Sequence, residues 1–194
     1  MTPGSAPGSL RRWLDLLRGR AATARAHSDE PATPTDERMM ARALELAHAA
    51  AEAGETPVGA VVYETASGDI LAEAHNLREG PNDPAGHAEL IAIRAAAAKL
   101  GDWRLNACTL VVTLEPCAMC AGLIVNARVG RLVYGARDPK AGAVESLYRL
   151  CQDARLNHRI TPIAGVMEDQ CGVVLRAFFR ERRAAKKHRR DGGE

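Results

Sequence analysis

Five residues in two short stretches carry the chemistry of this sequence: His87 and Glu89 in His87-Ala88-Glu89, and Pro116, Cys117 and Cys120 in Pro116-Cys117-Ala118-Met119-Cys120. A Cys-x-x-Cys pair has three common uses: half of a structural zinc site, a redox dithiol, or part of a catalytic metal site. A structural zinc recruits four protein ligands, and neither a second Cys-x-x-Cys nor a His-x-x-x-His stands nearby. A redox pair belongs on a thioredoxin-like strand-to-helix turn and leaves His87-Ala88-Glu89 unexplained. His87, Cys117 and Cys120 together make three ligands with one position left for water, the stoichiometry of catalytic zinc. Zinc lowers the pKa of a bound water from about 15.7 to about 7, so Glu89 can take its proton near neutral pH.

The spacings say how these groups must be held. An i, i+3 separation puts Cys117 and Cys120 on one face of a helix's first turn, where the positive end of the helix favours thiolate over thiol. His87 and Glu89 are two residues apart and cannot share a helical face. They read instead as ligand and base in the first turn of a second helix whose N-terminus points at the metal. His27, His48 and His188 stand outside any such pattern and read as ordinary polar residues.

The surrounding sequence supplies those elements. From Thr35, expected as N-cap, Met40, Ala43, Leu44, Ala47 and Ala51 trace a first helix that Gly54 ends. Val58 to Glu64, the turn Ala66-Ser67-Gly68-Asp69 and Ile70 to Ala74 read as a β-hairpin. Residues 79–86 have loop composition and deliver the chain to His87 and an Ala-rich helix reaching about Leu100. Thr109 to Leu114 is an apolar strand; Pro116 then opens a helix from Cys117 to Ala127. Arg131 to Gly135 is a further strand. A short helix near Val144 to Cys151, a strand around Thr161 to Val166 and a final helix from Glu168 into the basic tail complete the chain. Helices interleaved with strands predict an α/β fold, a three-layer α/β/α sandwich.

The 194 residues, 46% hydrophobic and 26% charged, suffice for one core. No apolar run approaches the roughly 18 residues that span a bilayer, and no signal-peptide pattern is visible. Five cysteines at irregular spacing suit reduced thiols and metal ligands better than a disulfide framework. A soluble, cytoplasmic protein is expected. Residues 37–175 hold 13 Lys/Arg against 17 Asp/Glu, whereas residues 176–190 hold eight basic residues and one acid, Glu181. That run is where a polyanion would bind, unless it is only a solvated helix end. Residues 1–36 are rich in Pro, Gly, Ala, Ser and Thr and read as an unstructured extension, with one apolar cluster of Leu10, Trp13, Leu14 and Leu17.

His-x-Glu followed by Pro-Cys-x-x-Cys is the general signature of zinc deaminases acting on nucleobases. With Pro57-Val58-Gly59-Ala60-Val61, Thr113-Leu114-Glu115 ahead of Pro116, Ala121-Gly122 after Cys120, and Gly135-Ala136-Arg137-Asp138, the sequence resembles the bacterial tRNA-specific adenosine deaminases over roughly residues 38–183. The resemblance implies a cytidine-deaminase-like fold with a central mixed five-stranded sheet, a homodimer, one Zn2+ per subunit, and hydrolysis of the wobble adenosine 34 of a tRNA anticodon, usually an arginine tRNA, to inosine. It makes His87, Cys117 and Cys120 the zinc ligands and Glu89 the proton donor and acceptor. It places Asn76, Val58, Ala88 and Pro116 around the flipped nucleotide, and Arg137, Asp138, Phe178 and Arg182 against neighbouring anticodon nucleotides. Asn76 has donor and acceptor groups suited to a ribose or base edge, and Phe178 offers a stacking face; the ordinary alternatives are a strand-end cap and core filling. The expected organisation is an extension at 1–36, a deaminase domain at 37–183 and a basic tail at 184–194. Two rival functions share the signature: a deaminase of free guanine, cytosine or a riboflavin-pathway pyrimidine, and an inactive zinc-binding subunit that presents tRNA. The second has no need of Glu89.

Overall fold

The structure is a computed structural model describing residues 31–191. Of the extension expected at 1–36, all but residues 31–36 lie outside the described part, as does the Leu10 to Leu17 cluster.

Helix α1 spans Pro34–Glu52. Its N-cap is Thr33, two residues before the expected Thr35. The Thr33 hydroxyl accepts from the Asp36 N–H at 3.2 Å, and the Asp36 carboxylate accepts from the Thr33 N–H at 2.7 Å. That reciprocal box needs an acceptor three residues after the cap, which Asp36 supplies to Thr33 and Arg38 cannot supply to Thr35. Pro34 occupies the first helical position, where its missing N–H costs nothing. Gly54, at φ +79°, turns the chain off the helix as expected.

Strands β1 (Gly59–Glu64) and β2 (Ile70–His75) form the antiparallel hairpin. After α2 (Ala88–Leu100), β3 (Cys108–Leu114) pairs antiparallel with the other edge of β1. Helix α3 (Ala118–Asn126) carries the chain to β4 (Arg131–Ala136), parallel to β3, and β5 (Ile163–Ala164) adds in parallel. The result is a mixed five-stranded sheet ordered β2-β1-β3-β4-β5, followed by α4 (Glu168–Asp191).

Strand periodicity sorts the core into two layers. Ala60, Val62, Leu110, Val112, Leu132 and Tyr134 face α2 and α3, while Val61, Tyr63, Val111 and Val133 face α1 and α4. Both faces are covered, so β3 and β4 read as near-continuous apolar runs. Where α1 crosses β1, Gly59 lets backbones touch: a Cβ there would sit 2.0 Å from the Ala43 carbonyl oxygen.

Two expected elements are smaller than the sequence suggests. Between β4 and β5 only Leu150–Gln152 winds into a 3₁₀ turn, not a helix from Val144. The N–H groups of Val144, Glu145 and Ser146 donate to the Glu115 side chain, and the segment ahead of that 3₁₀ turn runs as successive turns. The strand expected over 161–166 shrinks to two residues, bounded by Pro162, which has no N–H, and by Gly165 at φ +80°.

Candidate metal centre and active site

The two chemical motifs meet because α2 and α3 point their N-termini at one place. His87 is the N-cap of α2 and Cys117 the N-cap of α3; both have extended backbone and neither side chain makes the usual capping bond. Each is therefore free to turn outward. Cys120 follows in the first turn of α3, so Cys117 flanks the helix rather than opening it, and the spacing still brings the two thiols together. His87 Nδ1 lies 3.6 Å from the Sγ of Cys117 and 3.6 Å from that of Cys120, and the three ligand atoms fall within 4.8 Å of one another. Tetrahedral zinc with Zn–S of about 2.3 Å and Zn–N of about 2.05 Å requires S···N separations of about 3.6 Å. The donor set fits that ion: two soft sulfurs and an imidazole, from residues in three places on two helix ends.

Electrostatics in the cluster favour one thiolate. The Cys120 S–H and His87 hold the Cys117 thiol at about 3, against burial, while the Cys120 thiol, donating to Cys117 and buried near the carboxylate of Glu89, is held well above its ordinary value. His87 is raised by its bond to Cys117. His87, Cys117 and Cys120 would hold a cation with both sulfurs as thiolates, the shared proton having left. Glu89, in the first turn of α2, is 4% exposed; burial raises its carboxyl, and the charges around it are those of His87 and Cys117. A buried carboxyl with a raised pKa beside a metal site is suited to exchanging protons.

Asn76, just past β2, connects the walls around this centre. Its N–H donates to the Val58 carbonyl at 3.0 Å, and its side-chain oxygen accepts from the Ala88 N–H at 2.9 Å. Asn76 thus caps α2 in place of the His87 side chain, and the bond fixes its amide so that the NH2 end stays available as a donor. Val58, Ala88 and Pro116 are all buried beside these groups.

The four residues expected against flanking nucleotides divide into two pairs. Arg137 follows β4, its side chain 53% exposed and 3.3 Å from the Glu145 carboxylate. The Asp138 carboxylate accepts from the N–H groups of Lys140 and Ala141 at 2.9 and 3.2 Å. Phe178 and Arg182 stand on α4. Phe178 is 8% exposed against 41% for Phe179, and the rings meet edge to face at 5.5 Å, so the accessible aromatic face is that of Phe179. The Arg182 guanidinium lies 5.5 Å from the Phe178 ring centre and 3.6 Å from Glu79.

Sequence reasoning missed two buried carboxylates that shape the site. Glu55 accepts from the N–H groups of Arg78, Glu79 and Gly80 at 2.9 to 3.1 Å and ties down the start of the loop leading to His87. Glu115, next to Pro116, gathers the loop after β4. Burial pushes both carboxyls up, but their donors outweigh it and hold both below the usual range. In sequence each is one charge among 24 Asp/Glu. The one signal was position, since Glu115 interrupts an apolar strand directly before the Pro-Cys pair.

Comparison with known proteins adds a family context. The MafB19-like deaminase family matches residues 35–183. A tRNA-specific adenosine deaminase of Bacillus subtilis is 49% identical over 152 residues, 78% of this chain and 93% of the relative. A solved structure described in work on A-to-I editing by tRNA:A34 deaminases at the wobble position of transfer RNA superposes with a TM-score of 0.68 at 41% identity, covering 71% of this chain and 99% of that one. A guanine deaminase from Nitrosomonas europaea superposes with a TM-score of 0.62 at 28% identity, covering 92% and 96% of the two chains.

Proposed function

Because the chain belongs to the tRNA-specific adenosine deaminases and is a deaminase enzyme, we propose that it converts the wobble adenosine 34 of a tRNA anticodon, that of an arginine tRNA, to inosine with release of ammonia. The observation that carries the chemistry is His87 Nδ1 at 3.6 Å from both the Cys117 and Cys120 thiols, with the buried Glu89 carboxyl in the same first turn. His87, Cys117 and Cys120 hold one Zn2+, which when bound activates a water and stabilises the charge that develops at the reacting carbon. Glu89 handles the protons: the attacking water gives up two in turn, one carried to the purine ring nitrogen and one to the departing amino group. Water and adenosine are consumed; inosine and ammonia leave.

The remaining residues bind and orient. Val58, Asn76, Ala88 and Pro116 enclose the extruded base, with the Asn76 NH2 donating to a ribose or base acceptor. Arg137, Asp138 and Arg182 meet the flanking nucleotides, with the exposed Phe179 ring in place of the covered Phe178 as the stacking face, and the basic residues of α4 attract the RNA backbone. An anticodon loop suits such a site because its bases are already unpaired, which lowers the cost of extrusion. We place the deaminase domain at 37–183, with an extension before it and a basic tail at 184–194 after it; its first helix begins three residues earlier, at Pro34, and the enzyme works in the cytoplasm as a homodimer. Exposed Met119, Leu147 and Tyr148, near the α3 end that carries Cys117, support the dimer. No helix among the described residues is long and apolar enough to cross a membrane.

Free-base deamination is the competing reading, favoured by the likeness to a guanine deaminase. The deciding assay measures inosine at the anticodon of unmodified arginine tRNA against turnover of free adenosine, cytidine and guanine, with zinc-loaded protein and Glu89→Ala. The expected result is inosine on tRNA alone and a loss of about 10²- to 10⁴-fold in the variant, whose zinc content stays near one per chain. Turnover of a free base but not tRNA overturns the RNA assignment; full activity in Glu89→Ala overturns the role of that carboxyl.

A further inference from the structure

Glu115 spends both of its carboxylate oxygens on one loop. Oε1 accepts from the N–H groups of Val144, Glu145 and Ser146 at 3.2, 2.7 and 2.8 Å. Oε2 accepts from the Asp138 N–H at 3.0 Å and from the Ser146 hydroxyl. The side chain is 2% exposed, so these donors are its solvation. The same loop is fastened to the metal-ligand segment by its backbone: the Ala143 N–H donates to the Pro116 carbonyl at 2.8 Å, and Gly142 bridges Cys117 in antiparallel fashion. Gly142 in turn donates to the Asp138 carbonyl at 2.9 Å. The approach tolerates no side chain there, because a Cβ on Gly142 would lie 2.5 Å from Glu115 Oε2 and 2.6 Å from the Asp138 carbonyl oxygen.

We infer that Glu115 is a positioning residue that locks the Arg137-Asp138 corner to the Cys117 segment, so that the group meeting the flanking nucleotide and the group holding the metal move as one body. The inference rests on the tRNA reading for its kinetic consequence, though not for its structural one. The two oxygens do different work. Three donors converge on Oε1, whereas Oε2 alone accepts from the Asp138 N–H, which follows Arg137 directly. Glu115→Gln separates the two tasks. With its amide oxygen kept toward the three N–H donors, the glutamine turns NH2 toward the Asp138 N–H, donor against donor, while the Ser146 hydroxyl can rotate to accept. The Asp138 N–H loses its acceptor and the corner is loosened, while the Gly142 bond to the Asp138 carbonyl and the rest of the loop stay.

The first measurement is amide hydrogen exchange on the zinc-loaded protein. In Glu115→Gln the Asp138 amide is expected to exchange at least tenfold faster, with Val144, Glu145 and Ser146 nearly unchanged; equal protection of Asp138 in both proteins overturns the inference. The second is a double-mutant cycle on KM for the anticodon stem-loop. Glu115→Gln is expected to raise KM about tenfold, the worth of one charge-assisted hydrogen bond, with kcat within about threefold. Arg137→Ala should then cost less than twofold more in that background, whereas Arg182→Ala, on α4, should cost the same in both. Equal penalties for Arg137→Ala in the two backgrounds overturn the coupling. Should Glu115→Gln fail to fold, Ser146→Ala removes only the hydroxyl on Oε2; it is expected to speed Asp138 exchange and raise KM about threefold, and no change in either counts against the inference. If the wild type makes no inosine on tRNA, the functional reading has failed, and the exchange experiment still decides the role of Glu115.

Discussion

His87 and Cys117 are N-cap residues whose side chains make no capping bond, and that frees them to face the cluster they form with Cys120. Asn76 supplies the missing cap of α2, and the exposed N–H groups of α3 favour anionic sulfur at Cys117. Cys117 consequently stands apart from the three buried cysteines outside the cluster. Burial raises the Cys108 thiol and pushes those of Cys151 and Cys171 up to about 12 and about 11, while Cys117 is held at about 3. Brief iodoacetamide treatment of the folded, metal-stripped protein should therefore label Cys117 first and leave Cys108, Cys151 and Cys171 unmodified. Prior addition of Zn2+ should block the label. Peptide mass mapping checks both, and labelling of Cys117 that Zn2+ does not slow would remove it from the ligand set.

Among the elements, α1 has no chemistry of its own, yet it backs β1 and β3, from whose ends the site is built. Its contact is backbone on backbone at Gly59, and its start is the Thr33–Asp36 box. Gly59→Ala should push α1 off the sheet and cost about 3 kcal/mol, the upper range for overpacking, or roughly 6 to 12 °C in Tm for a chain of this size. Thr33→Ala should cost only about 1 kcal/mol, the usual value of a lost cap. Thermal unfolding followed by circular dichroism separates the two; equal, small shifts would show that the α1–β1 packing can relax. Strand β5 shows the opposite case, in which a flanking proline keeps local propensity from growing into a full element.

For the molecule as a whole, three buried carboxylates join segments distant in sequence. Glu55 and Glu115 hold the loops on either side of the site. Asp36 accepts from the Tyr63 hydroxyl at 2.6 Å and from the Arg131 guanidinium at 2.5 Å, linking α1, β1 and β4. Burial raises all three carboxyls, and their donors bring each below its ordinary value of 3.8 for Asp36 or 4.5 for the glutamates. A carboxyl whose folded value lies below its unfolded one stabilises fully above the unfolded value and loses that contribution as pH falls through the folded one. Glu89, raised by burial, works in the opposite sense, but it is one against three. Urea midpoints should therefore fall steeply on acidification below about pH 4.5, and Asp36→Asn should start lower at pH 7 and fall less. A midpoint unchanged down to pH 3 would refute this account.

What the sequence determined by itself was local or carried by spacing: the hairpin, the limits of α2 and α3 to within a residue, the layering of the sheet, and the set His87, Glu89, Cys117 and Cys120. Helix and strand periods are properties of neighbouring residues, and a His-x-Glu with a Pro-Cys-x-x-Cys is too restrictive a combination to hide. Tertiary structure decided the rest. Only the fold shows that Asn76 caps α2, that Phe178 is covered while Phe179 is not, and that Glu115 gathers the N–H groups of Val144, Glu145 and Ser146. Hydrogen-bond partners 12 to 31 residues apart leave no period in a sequence, and a buried carboxylate is written there with the same letter as a solvated one.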